Sequence, residues 1–153
     1  MKIYFSCAIT GGRADQPVYQ LICDALTASG CQVLTAHLAH ADVMTYETSV
    51  APEAVFQRDS AWVEACDALV AEVSTPSHGV GYEIALALCL NKPTLCLYRQ
   101  GRPVSKMLLG NTHPRISVRS YRSDDDVHHS LLVFLSEARR LGTLSSQSGD
   151  YLP

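Results

Sequence analysis

Five short, β-prone apolar stretches, each separated from the next by residues that favour a helix or a long connection, constrain this chain more than any other feature. They fall at residues 2–7, 32–36, 68–73, 94–98 and 116–120. Asp15 and Pro17 open a helical segment that Gly30 stops. A second spans 52–66, with Val55, Phe56, Ala61, Trp62 and Val63 available for an apolar face, and a third spans 80–90, ended by Asn91-Lys92-Pro93. The last spans 124–141, where Asp124-Asp125-Asp126 suits the positive end of a helix dipole. Strands alternating with helices predict an α/β fold in which helices cover both faces of the sheet. The expected architecture is a five-stranded, mainly parallel sheet in a flavodoxin-like or Rossmann-like three-layer sandwich. A length of 153 residues suits one domain. We therefore expect a single catalytic α/β domain at 1–141 and a flexible C-terminal tail at 142–153, rich in serine.

Charge and composition narrow the partners. With 12 Lys+Arg against 15 Asp+Glu and no basic run longer than Arg139-Arg140, the chain offers no electrostatic footprint for a nucleic-acid polymer or an anionic membrane. The longest apolar run, 84–90, is far shorter than the roughly 20 residues that span a bilayer. The N-terminal apolar stretch breaks at Thr10-Gly11-Gly12-Arg13 and reads as a strand rather than a signal peptide. Six scattered cysteines form no Cys-x-x-Cys pair and fit a reduced, cytoplasmic protein.

In a doubly wound sheet, ligands bind beyond the carboxyl ends of the strands, where the strand order reverses. This rule selects two loops, residues 6–13 with Gly11-Gly12 and residues 74–83 with Gly79 and Gly81 at a helix start. The second is a candidate anion site, because a helix N-terminus presents unpaired N–H groups and a favourable field. Neither loop matches Gly-x-Gly-x-x-Gly or the Walker-type phosphate loop. Glu83 is the only acidic residue between Val73 and Tyr98 and lies one turn into an apolar helix, a costly place for a carboxylate unless it is paired or used. The plainer alternative is a helix-start carboxylate favoured by the dipole and solvent. Glu72, isolated in a strand, reads equally as a structural acceptor. Asp59 and Glu64 share the 52–66 helix, and spacing alone assigns neither. The connection 37–52 shows no clear periodicity, and its length favours binding over plain linkage. His37, His40 and His128-His129 lack the neighbours of a zinc site, and Ser77-His78 lacks a nucleophile elbow. Trp62 and Tyr82 read as packing residues, as does Tyr4, whose hydroxyl is also placed to reach a carboxylate from its strand end.

Several segments resemble the 2′-deoxynucleoside 5′-monophosphate N-glycosidases, relatives of the nucleoside 2-deoxyribosyltransferases. The similar pieces are Ile3-Tyr4-Phe5 leading to Ile9-Thr10-Gly11-Gly12-Arg13, then Val33-Leu34-Thr35-Ala36-His37, Arg58-Asp59-Ser60-Ala61-Trp62 and Val70-Ala71-Glu72-Val73. The most specific is Pro76-Ser77-His78-Gly79-Val80-Gly81-Tyr82-Glu83, followed by Lys92-Pro93-Thr94-Leu95-Cys96-Leu97. They run in order over about residues 2–140.

The resemblance implies hydrolysis of the N-glycosidic bond without metal or organic cofactor. Glu83 would be the nucleophile at the anomeric carbon, with a covalent glutamyl–sugar ester resolved by water. Asp59, in the family's Asp-x-x-Trp pattern, would orient the sugar or assist proton transfer to the leaving base, and Tyr4 would hydrogen-bond the nucleophile. The resemblance places Ile9, Thr10, Gly11, Gly12, Ser77, Gly79 and Gly81 around the substrate and its 5′-phosphate, and His37 near the base. It further implies a homodimer in which Ser105 reaches the neighbouring subunit's phosphate site. One departure stands out: where the family commonly reads Gly-Ser-Ile-Arg-Gly-Gly, this chain reads Cys7-Ala8-Ile9-Thr10-Gly11-Gly12, without that serine and arginine. Arg13 and Lys106 are the candidate replacement cations. Two further readings stand beside hydrolysis, namely deoxyribosyl transfer between bases on unphosphorylated substrates, and nucleotide binding without catalysis.

Overall fold

A computed structural model describes residues 1–9, 14–40 and 43–147, with backbone only at 45, 46 and 142–147. Five strands, β1 (Lys2–Ser6), β2 (Gln32–Val33), β3 (Ala68–Glu72), β4 (Thr94–Arg99) and β5 (Ile116–Tyr121), form one sheet. Its order is β2-β1-β3-β4-β5, and every pairing is parallel. This is the expected doubly wound arrangement: the chain moves outward from β1 to β2, then crosses to the other side of β1 to lay down β3. The reversal opens a crevice between the carboxyl ends of β1 and β3.

Side-chain alternation divides the core in two. Ile3, Phe5, Val70, Leu95 and Leu97 face α1 (Gln16–Ala28) and α6 (Asp124–Gln147). On the opposite face Tyr4, Leu69, Ala71 and Cys96 meet α3 (Pro52–Ala65) and α4 (His78–Cys89). Strands buried on both faces read as continuous apolar runs, as parallel strands should. Leu69, Leu95 and Leu97 are wholly buried, and truncating any of them to Ala costs about 2–5 kcal/mol. Gly30, at φ 76°, lets the chain leave α1 in a left-handed conformation.

Three local expectations are corrected, and the lack of a period over 37–52 is explained. The second strand ends at Val33 rather than Ala36, because the buried Thr35 hydroxyl donates to the Phe5 carbonyl (2.6 Å) and accepts from the Phe5 N–H (2.9 Å), taking the place of a further rung. The 37–52 connection contains a 3-10 turn (Ala36–Ala39) and a short helix α2 (Val43–Glu47), elements too brief to show a period. On α3 only Val63 is buried, while Phe56 and Ala61 are exposed; the first half of that helix walls a cleft instead of covering the sheet. Finally, α6 continues to Gln147, six residues past the expected end, through Gly142 and its serines. A short helix, α5 (Lys106–Leu109), occupies the passage between β4 and β5. Among the described residues no helix is long and apolar enough to cross a membrane.

Candidate active site

The reversal crevice is a cleft of about 580 Å³. Its walls are the end of β1 with Cys7 and Ile9, the first half of α3, α2, and the beginning of α4. Glu83 lies on this cleft. Tyr4 Oη donates to Glu83 Oε1 at 2.9 Å, and Ser6 Oγ donates to Oε2. Both donors are wholly buried and project from the same face of β1, two residues apart. The carboxylate is therefore gripped from beneath through both oxygens.

Burial dominates the Glu83 environment and raises its pKa above the ordinary carboxylate range. The Ser6 and Tyr4 donors act in the other direction, Asp59 adds to the rise, and Arg58 opposes it. Tyr4 is pushed well above the usual phenol range, first by burial and then by the Glu83 and Asp59 charges, so it remains a donor.

Asp59 stands on the α3 wall of the same cleft. Arg58 Nε donates to Asp59 Oδ1 at 2.8 Å, while Arg58 Nη1 lies 3.1 Å from Glu47 Oε1 and Nη2 3.2 Å from Glu47 Oε2. The guanidinium thus bridges α3 and α2. Burial alone would make it easier to deprotonate, yet the bonds to Asp59 and Glu47 outweigh this and raise its pKa. It also lies 5.1 Å from the centroid of Trp62, one turn further along α3, a contact worth about 0.5–1 kcal/mol. The spacing in Arg-Asp-x-x-Trp gains a physical meaning: Trp62 supports Arg58, which supports Asp59. His37 packs edge-on against Trp62 (5.7 Å between centroids), and its Nε2 is 3.4 Å from Glu47 Oε1.

At the start of α4, Ser77 caps the helix, its Oγ accepting from Val80 N at 3.4 Å. Ser77 and Gly79 line the cleft. Gly81 and Ser105 do not; they line a second cavity of about 800 Å³ between α4 and the 103–111 segment, whose walls Ser77 shares. Ser105 Oγ caps α5 by accepting from Met107 N. Thr10, Gly11, Gly12 and Arg13 lie outside the described residues.

The structure therefore joins Glu83, Tyr4, Asp59, Ile9, Ser77 and Gly79 at one cleft, sets His37 behind Glu47, and separates Gly81 and Ser105. Three participants escape the sequence reading: Ser6, Arg58 and Glu47. Alternation from Tyr4 would have found Ser6. Arg58 and Glu47 leave no such signal, because an Arg next to an Asp on a helix is commonplace. Tyr82, expected in the core, is exposed and meets Phe56 at 6.1 Å on the cleft wall. Glu72 is the buried acceptor that one reading foresaw, taking bonds from Ser74 and Tyr121. Among the described residues no group of three or more His, Cys, Asp or Glu is arranged to hold a metal ion.

The sequence model of the family described as nucleoside 2-deoxyribosyltransferase matches residues 3–148. A protein of Methanococcoides burtonii named "Putative 2'-deoxynucleoside 5'-phosphate N-hydrolase 1" is 40% identical over 119 residues, covering 78% of this chain and 98% of its own. The 5-hydroxymethyl-dUMP N-hydrolase of Mus musculus is 38% identical over 152 residues, covering 96% and 87%. The solved structure of Clostridium botulinum CMP N-glycosidase superposes with a TM-score of 0.62 at 16% identity, covering 86% of this chain and 98% of that one; at that identity the likeness speaks for the fold.

Proposed function

This chain belongs to the nucleoside 2-deoxyribosyltransferase family, and on that premise we propose that it hydrolyses the N-glycosidic bond of 2′-deoxynucleoside 5′-monophosphates, releasing a free nucleobase and 2-deoxyribose 5-phosphate. The observation that carries this reading is the Glu83 carboxylate, anchored through both oxygens by Tyr4 and Ser6 on a cleft that also holds Asp59.

In the first step an oxygen of ionised Glu83 bonds to the anomeric carbon as the carbon–nitrogen bond breaks, its electron pair leaving with the base. Asp59 assists the transfer of a solvent proton to the departing base. Because the sugar lacks a 2-hydroxyl, the oxocarbenium-like centre is less destabilised and forms more readily. In the second step water attacks the same carbon and the ester carbon–oxygen bond breaks, returning the Glu83 carboxylate, while Asp59 passes the water's proton on to solvent. Tyr4 and Ser6 hold the nucleophile in place and offset part of the cost of its burial as an anion.

The 5′-phosphate sits at the start of α4, where Ser77 and the N–H groups near Gly79 present donors at the positive end of the helix. Ser105 lies away from Glu83 within its own protomer, which supports a homodimer where it serves the neighbouring site. The unbridged cysteines support a cytoplasmic setting.

A chromatographic assay tests the reading. Purified protein is incubated with deoxynucleoside monophosphates, the matching nucleosides and a second free base. Base release from the monophosphate without a new nucleoside is the expected outcome. Formation of the new nucleoside would favour transfer, the reaction for which the matching family is named. Ligand binding with neither product would reduce the chain to a binding module.

A further inference from the structure

A second acidic cluster lies on the other side of the sheet from Glu83. Glu72 ends β3, is wholly buried, and by alternation shares the Val70 face that packs on α1 and α6. It accepts from Ser74 Oγ, from Tyr121 Oη at 2.9 Å, and from Ser74 N at 3.3 Å. Ser74 Oγ in turn accepts from Arg99 N at 2.7 Å. Next to it, Asp15, 3% exposed at the start of α1, accepts from Thr75 Oγ1 at 3.1 Å and lies 3.7 Å from Arg99 Nη2. Arg99 stacks over the Tyr121 ring at 5.3 Å. Four segments that end at the catalytic edge of the sheet are thereby tied together: the β1–α1 connection through Asp15, the β3–α4 loop through Ser74 and Thr75, the end of β4 through Arg99, and the end of β5 through Tyr121.

Two buried carboxylates are an expensive way to hold a loop, and apolar packing would serve stability as well. What they add is direction. Hydrogen bonds from consecutive residues, Ser74 to Glu72 and Thr75 to Asp15, fix the path of the backbone that runs through Pro76 into the Ser77 cap. Resting on the phosphate-binding reading above, we propose that Glu72 and Asp15 are positioning residues for 5′-phosphate recognition, acting through Ser74 and Thr75 to aim Ser77 and the first N–H groups of α4. Neither carboxylate touches the sugar or the base. The contribution belongs to substrate capture and not to the bond-breaking step.

The test compares Thr75→Val, Tyr121→Phe and Glu72→Gln with wild type in steady-state kinetics on one deoxynucleoside monophosphate and on its unphosphorylated nucleoside, with Thr75→Ser as the rescue. We expect KM for the monophosphate to rise about three- to tenfold, the loss of one hydrogen bond, with kcat and the nucleoside reaction unmoved, and Thr75→Ser to restore wild-type values. Inhibition by 2-deoxyribose 5-phosphate should weaken by the same factor. Where Glu72→Gln fails to fold, Thr75→Val, on a half-buried loop, decides. A wild type that prefers the monophosphate but whose variants are unchanged, or lose equally on both substrates, overturns this proposal alone. A wild type that treats both substrates alike overturns the phosphate site and the proposal with it.

Discussion

Tyr4 and Glu83 are 79 residues apart in the chain, yet the phenol donates to the carboxylate at 2.9 Å. The contact links the first strand to the helix after the third, across the point where the sheet reverses its winding. It is also the hinge of the proposed chemistry, since it holds a desolvated carboxylate in place on the cleft and opposes part of the rise in its pKa.

Glu83→Ala is expected to keep the fold and lose base release by at least about 10³-fold, as nucleophile deletions do. Circular dichroism and product chromatography check the two halves. In the wild type, rapid acid quenching followed by mass spectrometry of peptides should find the sugar phosphate on the peptide that contains Glu83; an unmodified peptide under conditions of accumulating product would argue against the ester.

Tyr4→Phe removes one of two donors to the ionised carboxylate. A hydrogen bond to a charged group is worth about 1.5–3 kcal/mol, so kcat should drop about 10- to 150-fold. The pH profile carries the sharper signature. Burial already raises the Glu83 pKa and the Tyr4 bond acts against that rise, so the variant's acid limb should move to higher pH than that of wild type.

Glu83→Gln should change stability with a definite sign. A carboxyl whose folded pKa lies above its unfolded value favours folding fully below the unfolded pKa, and that contribution disappears as pH rises through the folded one. Above the folded pKa the buried anion is a burden that the amide lacks. The variant should melt above wild type there, and the gap should narrow on acidification through the carboxylate range. A gap that widens on acidification would contradict the assigned environment.

Arg58→Ala should cost about tenfold or more in kcat/KM, because Asp59 loses a charged partner and α2 loses its tether through Glu47. Arg58→Lys should recover little, since an ammonium cannot replace a fork that engages two carboxylates at once. Full recovery by Lys would show that charge alone matters.

Ser77→Ala combines two losses. Removing the cap of α4 should lower stability by about 1 kcal/mol, and the lost phosphate donor should raise KM for the monophosphate but not for the nucleoside. Thermal melts separate the first effect from the kinetic one.

How far the chain could be read in advance depended on the range of the interactions involved. Strand–helix alternation is a local pattern, so the five strands and four long helices were legible, and with them the crevice between β1 and β3. Glu83 was legible because a lone carboxylate in an apolar helix violates patterning. The early end of β2 was not, because it depends on Thr35 meeting Phe5 across 30 residues. Nor was the Glu47–Arg58–Asp59 bridge, which exists only once α2 folds against α3. The continuation of α6 past Leu141 contradicted a reading based on Gly142 and serine content, since each such residue weakens a helix by no more than about 1 kcal/mol.

The brevity of β2 has a consequence for how the molecule behaves in a crowded solution. An outer strand with open N–H and C=O groups invites another chain to extend the sheet, and a two-residue strand provides almost no template for that. On that flank the Thr35 hydroxyl acts as a stopper against intermolecular pairing. The burden of solubility passes to the opposite flank, where the six-residue β5 carries the charged Arg119 at its middle.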